Sequence, residues 1–260
     1  MPFTLAHPAA VMPLRRLKYL PMPALVVGSM APDIPYYFPT RWDLALGDTH
    51  TLYGSIVRDI PMGMAMLAVA LLLRGPLTAL MTERARWVSL REAQVFMARP
   101  QNWLLAIPAL LLGSWTHIVW DGFTHPGTWL ARRVDALSAP VTLFGIYTGV
   151  VSHVLQYASS VVGLALIAYW YTLVAAESPP EVNRGPDRAP VRWLLLLLVG
   201  AAAIGMGAFT VLRAHHEPQT VYRTLYLLLT RTVAWFMLFY VAVGAVVMST
   251  RRPQPQLRPG

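Results

Sequence analysis

The chain of 260 residues contains no cysteine. That excludes disulfides and thiolate metal sites, so any metal must be held by histidine and carboxylates. Charge is also scarce. Asp, Glu, Lys and Arg make up 13% of the residues, against about 25% in an ordinary soluble domain. Acid is the scarcer sign, with 12 Asp and Glu facing 21 Lys and Arg. The resulting net charge of +9 would suit nucleic acid, but the basic residues stand singly or in pairs at the ends of apolar runs. Flanking charge on membrane helices accounts for that pattern, and no nucleic-acid partner is expected. Two further features are missing. There is no internal repeat of the kind many transporters carry, and no G-x-S-x-G motif, which argues against a serine lipase. The start, "MPFTLAHPAAVMPLRR", does not read as a signal peptide. Its prolines are scattered, a histidine sits inside its apolar part, and its basic residues follow that part. It is expected to stay on the mature protein.

What the chain has in abundance is apolar surface, 56% of its residues. A membrane span needs about 20 mostly apolar residues. Residues 193–212, 159–176, 225–248 and 103–120 meet or approach that length, and 60–73 is a shorter fifth run that can extend back toward His50. The expected fold is an all-α, polytopic helical membrane protein in one domain, 1–260, with about five spans. Seven prolines from Pro8 to Pro39 break the short apolar pieces of the first 40 residues, which are expected to form short interfacial or re-entrant helices. Such irregular backbone is tolerated at membrane depth only where protein covers it or it lines a cavity. Residues 141–157, apolar but holding Gly145, Gly149 and His153, read as a half-helix beside the site. Residues 74–101, with five Arg and two Glu, and residues 177–190 read as water-exposed linkers. The tail 251–260 reads as disordered. Residues 1–160 then form the half that carries chemistry, and 161–250 add further helices.

The chemistry gathers in "GSWTHIVWDGFTHPG", residues 113–127. Residues four apart share a helix face, so His117 and Asp121 lie on one stripe, with His125 next if the helix continues past Gly122. Ionisable side chains near a bilayer core are costly and mark functional sites by default. Three more places hold such residues: His7 in "TLAHPAAV", Asp33 in "GSMAPDIPYY" and His50 in "GDTHTLYGS". Taken singly, each also fits a cap, a turn or an interfacial residue.

Read in order, His, then PD, then TH and G-x-x-x-H-x-x-x-D-x-x-T-x-x-G resemble the predicted membrane-bound metal-dependent hydrolases of bacteria. The opening "MPFTLAHPAAVMPLRR" and "GSMAPD" resemble more closely an uncharacterised bacterial membrane family, domain of unknown function 4184. The likeness covers roughly residues 1–160 and runs on through "LQYASSVVG". It implies a metal site at His7, Asp33, His50, His117 and Asp121. The broader hydrolase group often has a second acid where this chain has Pro35, an extra His near Leu46, Gly47 and Asp48, and Pro in place of His125. Asp48 and His125 can substitute in the ligand set.

A His/Asp set without thiolate suits Zn²⁺ or Mn²⁺, or Mg²⁺ where carboxylates dominate. Asp33 and Asp121 each fit either ligation or general-base catalysis. Arg15, Arg16 and Arg58 fit an anionic headgroup, since the guanidinium fork matches phosphate; each equally fits an interfacial anchor. His153 and Asp48 fit an outer shell behind the ligands. The pair His215 and His216 reads as a loop between spans. The expected function is a metal-dependent hydrolase of a membrane lipid or lipid-linked ester or phosphoester. A proton- or ion-conducting protein and a protein with a purely structural metal are the alternatives. The expected location is the bacterial inner membrane. With five spans and a cytoplasmic tail, 11 basic residues fall inside and nine outside, which puts the site on the extracytoplasmic face. If the metal reading holds, His7, Asp33, His50, His117 and Asp121 converge within about 5 Å of one centre.

Overall fold

The computed structural model describes residues 3–17, 19–37, 48–145, 147–177, 179, 189–214 and 221–250. Lys18, Arg41, Leu46, Gly47, most of the 177–190 linker, the His215–His216 loop and the 251–260 tail lie outside the described residues, and so do the expectations placed on them.

The fold is helical. Five described helices are long and apolar enough to cross a membrane: Leu52–Leu72, Gln101–Thr124, Val151–Ala176, Ala189–Arg213 and Arg223–Thr250. The chain divides into two compact units, one of Met1–Val69 with Arg91–Glu177, the other of Ala70–Leu90 with Ser178–Gly260.

The first unit begins with short proline-led helical turns, Thr4–Ala6, Pro8–Val11 and Met12–Arg16. Helix α1 follows, Met22–Met30. Its nine residues rise only about 13 Å, too little to span. A 3₁₀ segment, Ala31–Tyr37, continues from it and carries Asp33 between Pro32 and Pro35. Helix α2 is the span Leu52–Leu72. The Thr51 hydroxyl caps its start by accepting from the Gly54 amide at 2.9 Å. Its second turn, Ser55–Asp59, is π-helical. Helix α3, Glu83–Met97, whose residues up to Leu90 belong to the second unit, is helical where the sequence suggested a water-exposed linker. It buries Ala85, Val88, Ala93 and Phe96 and leaves Arg84 and Arg91 exposed. Helix α4 is the span Gln101–Thr124 and α5 the span Val151–Ala176.

The reading of 141–157 as a half-helix is corrected. Strands β1, Pro140–Leu143, and β2, Tyr147–Val150, pair antiparallel, and α5 starts only at Val151. The chain turns at Phe144 and Gly145, with φ of 53° and 69°. Gly145 adopts that left-handed conformation without steric cost. The segment is rich in β-branched and aromatic residues, which favour a strand over a helix; its apolarity alone had suggested a membrane helix.

Helices α1 and α4 cross at contact of their backbones. A Cβ on Gly28 would come within 2.3 Å of the Leu110 carbonyl oxygen, and one on Gly113 within 2.5 Å of that of Leu25. Small residues allow this approach in membrane helices, where packing replaces the hydrophobic effect. Along α5, the Phe3 amide donates to Ser160 Oγ at 3.0 Å and Ala6 packs on Gly163. Arg15 lies over Trp170 and pairs with Glu177. Residues 3–15 therefore run along α5 toward its C-terminal end.

In the second unit, α6, Ala189–Ala214, pairs with α7, Val221–Thr250. Gly207 meets the Thr232 backbone, and Trp235 Nε1 donates to Thr210 Oγ1 at 3.0 Å. The short helix Arg74–Thr78 packs on α7 through Gly244, and Tyr240 donates to the Leu77 carbonyl.

Candidate metal centre

Four side chains from three stretches of the first unit meet at one point. Asp33, His50, His117 and Asp121 each offer one donor atom, and the four atoms lie within 4.8 Å of one another. His117 Nε2 is 3.5 Å from Asp33 Oδ1 and 3.3 Å from Asp121 Oδ2. His50 Nε2 is 3.6 Å and 3.5 Å from the same two oxygens. These separations exceed good N–H···O hydrogen bonds. These four His–Asp separations are close to the roughly 3.4 Å between neighbouring donors set about 2.1 Å from a central ion, while the remaining pairs lie within 4.8 Å. Asp33 and His117 are fully buried.

Local structure aims each donor. Ser29 belongs to the last turn of α1, where carbonyls lack helical partners. His117 Nδ1 donates to the Ser29 carbonyl at 2.8 Å, which leaves Nε2 bare toward the cluster. Thr49 donates its hydroxyl proton to the Pro32 carbonyl at 2.8 Å. Its oxygen can then accept from His50 Nδ1 at 3.1 Å, so that Nε2 is the nitrogen that faces the cluster. Asp33 Oδ2 accepts from Thr4 Oγ1 at 2.6 Å, and Thr4 accepts from the Tyr37 hydroxyl at 2.5 Å. Metal-ligating histidines are oriented by such outer hydrogen bonds. The atoms left over are telling. Asp33 Oδ1, His117 Nε2, Asp121 Oδ1 and both His7 ring nitrogens are buried without a hydrogen-bond partner among the described residues. Unpartnered oxygens on two carboxylates and nitrogens on two imidazoles fit a divalent cation.

His7 adjoins this group. Its ring stacks on His117 with centroids 3.7 Å apart, and its Nε2 is 3.5 Å from Asp121 Oδ1. Burial, reinforced by the neighbouring His117, pushes the His7 imidazole down to about 3, so it stays neutral. Burial also opposes charge on His50, but the carboxylates of Asp121 and Asp33 outweigh it and raise that imidazole to about 9. Burial works against the Asp33 carboxylate as well, yet the His117 and His50 imidazoles hold it well below the usual range.

His125 stands at the edge. The helix does continue past Gly122, but it ends at Thr124, and His125 is its extended C-cap. Burial lowers the His125 imidazole from its ordinary value. The other residues singled out from sequence lie apart from this convergence. Arg15 is held by Glu177 through two bonds of 2.5 and 2.6 Å at the far end of α5, with Arg16 beside it. Arg58 sits on the π-turn of α2. Asp48 is exposed, and its carbonyl accepts from Thr51 Oγ1. His153 lies between the hydroxyls of Tyr147, 2.8 Å away, and Tyr157, 3.3 Å away.

Sequence reasoning passed over Thr4, Ser29, Tyr37 and Thr49, which orient the donors. Thr4 precedes His7 by three residues and Thr49 adjoins His50, so spacing carried a faint signal; the Ser29 carbonyl carried none. It also passed over Asp59, a carboxylate 1% exposed inside a span. Asp59 Oδ2 accepts from Ser114 Oγ at 2.5 Å, and its other oxygen has no partner among the described residues.

A family model described as a domain of unknown function, DUF4184, matches residues 1–250. The chain belongs to this family. The match reaches through both compact units, well past the stretch that carries the His/Asp series. No curated protein and no solved structure matches the chain. The family's description assigns no reaction, so function has to be argued from the site itself.

Proposed function

We propose that this DUF4184 protein is an integral-membrane, metal-dependent hydrolase. Asp33, His50, His117 and Asp121 would hold one divalent ion, Zn²⁺ or Mn²⁺, with His7 packed against them. The observation that carries the reading is the set of four donor atoms within 4.8 Å, each aimed by its own local structure. When bound there, a divalent ion polarises a carbonyl or phosphoryl oxygen and lowers the pKa of a water. The chain's own residues supply the setting. Asp33 and Asp121 balance the ion's charge, and the α1–α4 crossing excludes water from one side of the cluster. His50 and His125, whose side chains are 24% and 22% exposed, form its accessible edge.

The substrate class follows from depth. Asp121 and His117 lie about 5 Å and 10 Å inside the C-terminal end of α4, at 1.5 Å per residue. Were α4 to end at the bilayer surface, that would be the depth of the headgroup boundary, which supports a lipid or lipid-linked ester or phosphoester as the proposed substrate. The proposed location is the bacterial inner membrane, with the site on the extracytoplasmic side. Complete burial of Asp33 and His117 favours a second reading, an ion that pins the N-terminal turns to α4 without turnover; structural sites have closed shells and catalytic ones an open position.

Elemental analysis of detergent-purified protein tests the metal, with His117→Ala and Asp121→Ala beside the wild type. Near-stoichiometric zinc or manganese in the wild type, lost in both variants, is expected. A wild type that holds no metal even after incubation with Zn²⁺ and Mn²⁺ sinks the proposal. Metal without hydrolysis of any lipid ester or phosphoester leaves the structural reading.

A further inference from the structure

One buried acid takes no part in the metal centre. Asp59 lies within the span α2 and is 1% exposed. At 1.5 Å per residue it sits about 10 Å below Leu52, and its partner Ser114 lies about 15 Å inside the end of α4. The π-helical turn Ser55–Asp59 closes with the Ile60 amide on the Ser55 carbonyl, and such turns are frequent at functional sites. Ser55 and Ser114 are fully buried. Ser55 Oγ donates to the Leu52 carbonyl at 2.8 Å and accepts from Trp115 Nε1 at 3.0 Å, so it has no proton to give Asp59. Asp59 is left with one side-chain bond, the 2.5 Å contact between its Oδ2 and Ser114 Oγ. Among the described residues its Oδ1 is buried with no partner, and no Arg, Lys or His pairs with it. The ionisable groups that act on it, His50, His117 and Asp33, all belong to the metal centre. Asp59 is not among the four donors gathered there.

A bare carboxylate taken out of water with a single hydroxyl bonded to it is strongly unfavourable. Acids inside spans mark ion or proton pathways. One negative charge is balanced by one positive charge, and two carboxylate oxygens with one serine oxygen are too few for Ca²⁺ or Mg²⁺, which take about six or more. We infer that Asp59, with Ser114, is a second cation site, inside the bilayer and apart from the metal centre, which takes a monovalent cation, either a proton or Na⁺. Either occupant neutralises the acid and gives the unpartnered Oδ1 something to bind. Its departure would bare a negative charge one helical turn from His117, since Ser114 and His117 stand three residues apart on α4. The site does not rest on the hydrolase reading.

The test uses full-length protein in detergent micelles and Na⁺-free buffer, as wild type and Asp59→Asn. Dicyclohexylcarbodiimide, an apolar reagent that attacks carboxyl groups carrying a proton, is set against a water-soluble carbodiimide. Peptide mass spectrometry locates the modification. Asp59 is expected to react with the apolar reagent alone. Labelling that ignores Na⁺ and falls about tenfold per pH unit above its midpoint identifies the occupant as a proton. Labelling that falls about tenfold for each tenfold rise in Na⁺ beyond half-saturation, at constant pH, identifies it as Na⁺. Labelling needs no variant, so it decides even if Asp59→Asn fails to fold. The unfolding midpoint is the second readout. A cation held by the folded wild type and released on unfolding raises the wild-type midpoint as that cation is added, and the neutral Asn isostere is expected not to follow. Equal labelling by the water-soluble reagent overturns the inference, because the carboxyl is then open to water. Suppression by Ca²⁺ or Mg²⁺ but by neither Na⁺ nor rising pH overturns the monovalent assignment. An Asp59 that reacts with neither reagent, in a wild type whose midpoint tracks the variant's through every change of pH and Na⁺, overturns it as well.

Discussion

Thr49 illustrates how a residue without donor chemistry can govern the site. Its hydroxyl donates a hydrogen bond to the Pro32 carbonyl, which leaves its oxygen to accept from His50. Thr49→Val removes both bonds with little change of volume. We expect zinc affinity to fall about 10- to 100-fold, the usual cost of losing an outer partner, while the helical signal in circular dichroism stays unchanged. Competition with a zinc-sensitive dye measures this. The same assay has a defined pH dependence. With His50 raised to about 9, the metal-free site carries a proton there at neutral pH, and zinc must displace it. Asp33, held below the usual range, is already ionised and contributes no proton. Affinity is therefore expected to rise with pH, about tenfold per unit from His50 alone, and to level off near that value. Affinity that is flat or falls between about pH 6 and 8 contradicts this assignment. Asp59 depends on Ser114 in a similar way. Ser114→Ala leaves a buried carboxyl without the one donor found for it among the described residues. A loss of about 1–3 kcal/mol is expected, read as a lower unfolding midpoint in detergent.

Among the elements, the α1–α4 crossing matters most to the cluster, because it sets the distance from the Ser29 carbonyl to His117. Gly28 and Gly113 sit where a Cβ would strike the opposing backbone, which unlike a side chain cannot rotate away. Gly28→Ala and Gly113→Ala are each expected to cost about 1–3 kcal/mol and to weaken zinc binding by forcing the helices apart. A variant that loses stability but binds zinc normally would show that the crossing does not position His117. The spans were legible as apolar runs, and the helices extend each of them by a few residues. The hairpin was not read as a hairpin, because its short strands share the apolarity of a membrane helix and their β-branched and aromatic content was outweighed by it. The α1–α4 crossing was not legible either, since two glycines far apart in sequence give no sign that they face each other.

For the whole molecule, the absence of cysteine makes topology directly measurable. The β1–β2 hairpin follows the site-bearing end of α4, and its tip residue Phe144 is 94% exposed. Arg99 precedes the other end of the same span. In the proposed orientation, Phe144→Cys in intact cells reacts with a membrane-impermeant maleimide. Arg99→Cys reacts only after permeabilisation. The reverse pattern would move the site to the cytoplasmic face and change which lipids reach it.

Composition and the length of apolar runs settled the helical membrane class, because each span must satisfy its own backbone and so is written in consecutive residues. The i, i+4 pairing of His117 with Asp121 was equally local. The convergence was not. Asp33 and His50 reach the same point only because α1 stops short at Met30, its Ser29 carbonyl accepts from His117 Nδ1, and two glycines let α1 and α4 touch. The helix end at Thr124, which turns His125 from the next member of a stripe into a cap, was also decided in three dimensions. Contacts between residues distant in sequence leave no periodic trace in a single chain, so the ligand types could be read from the sequence and their arrangement could not.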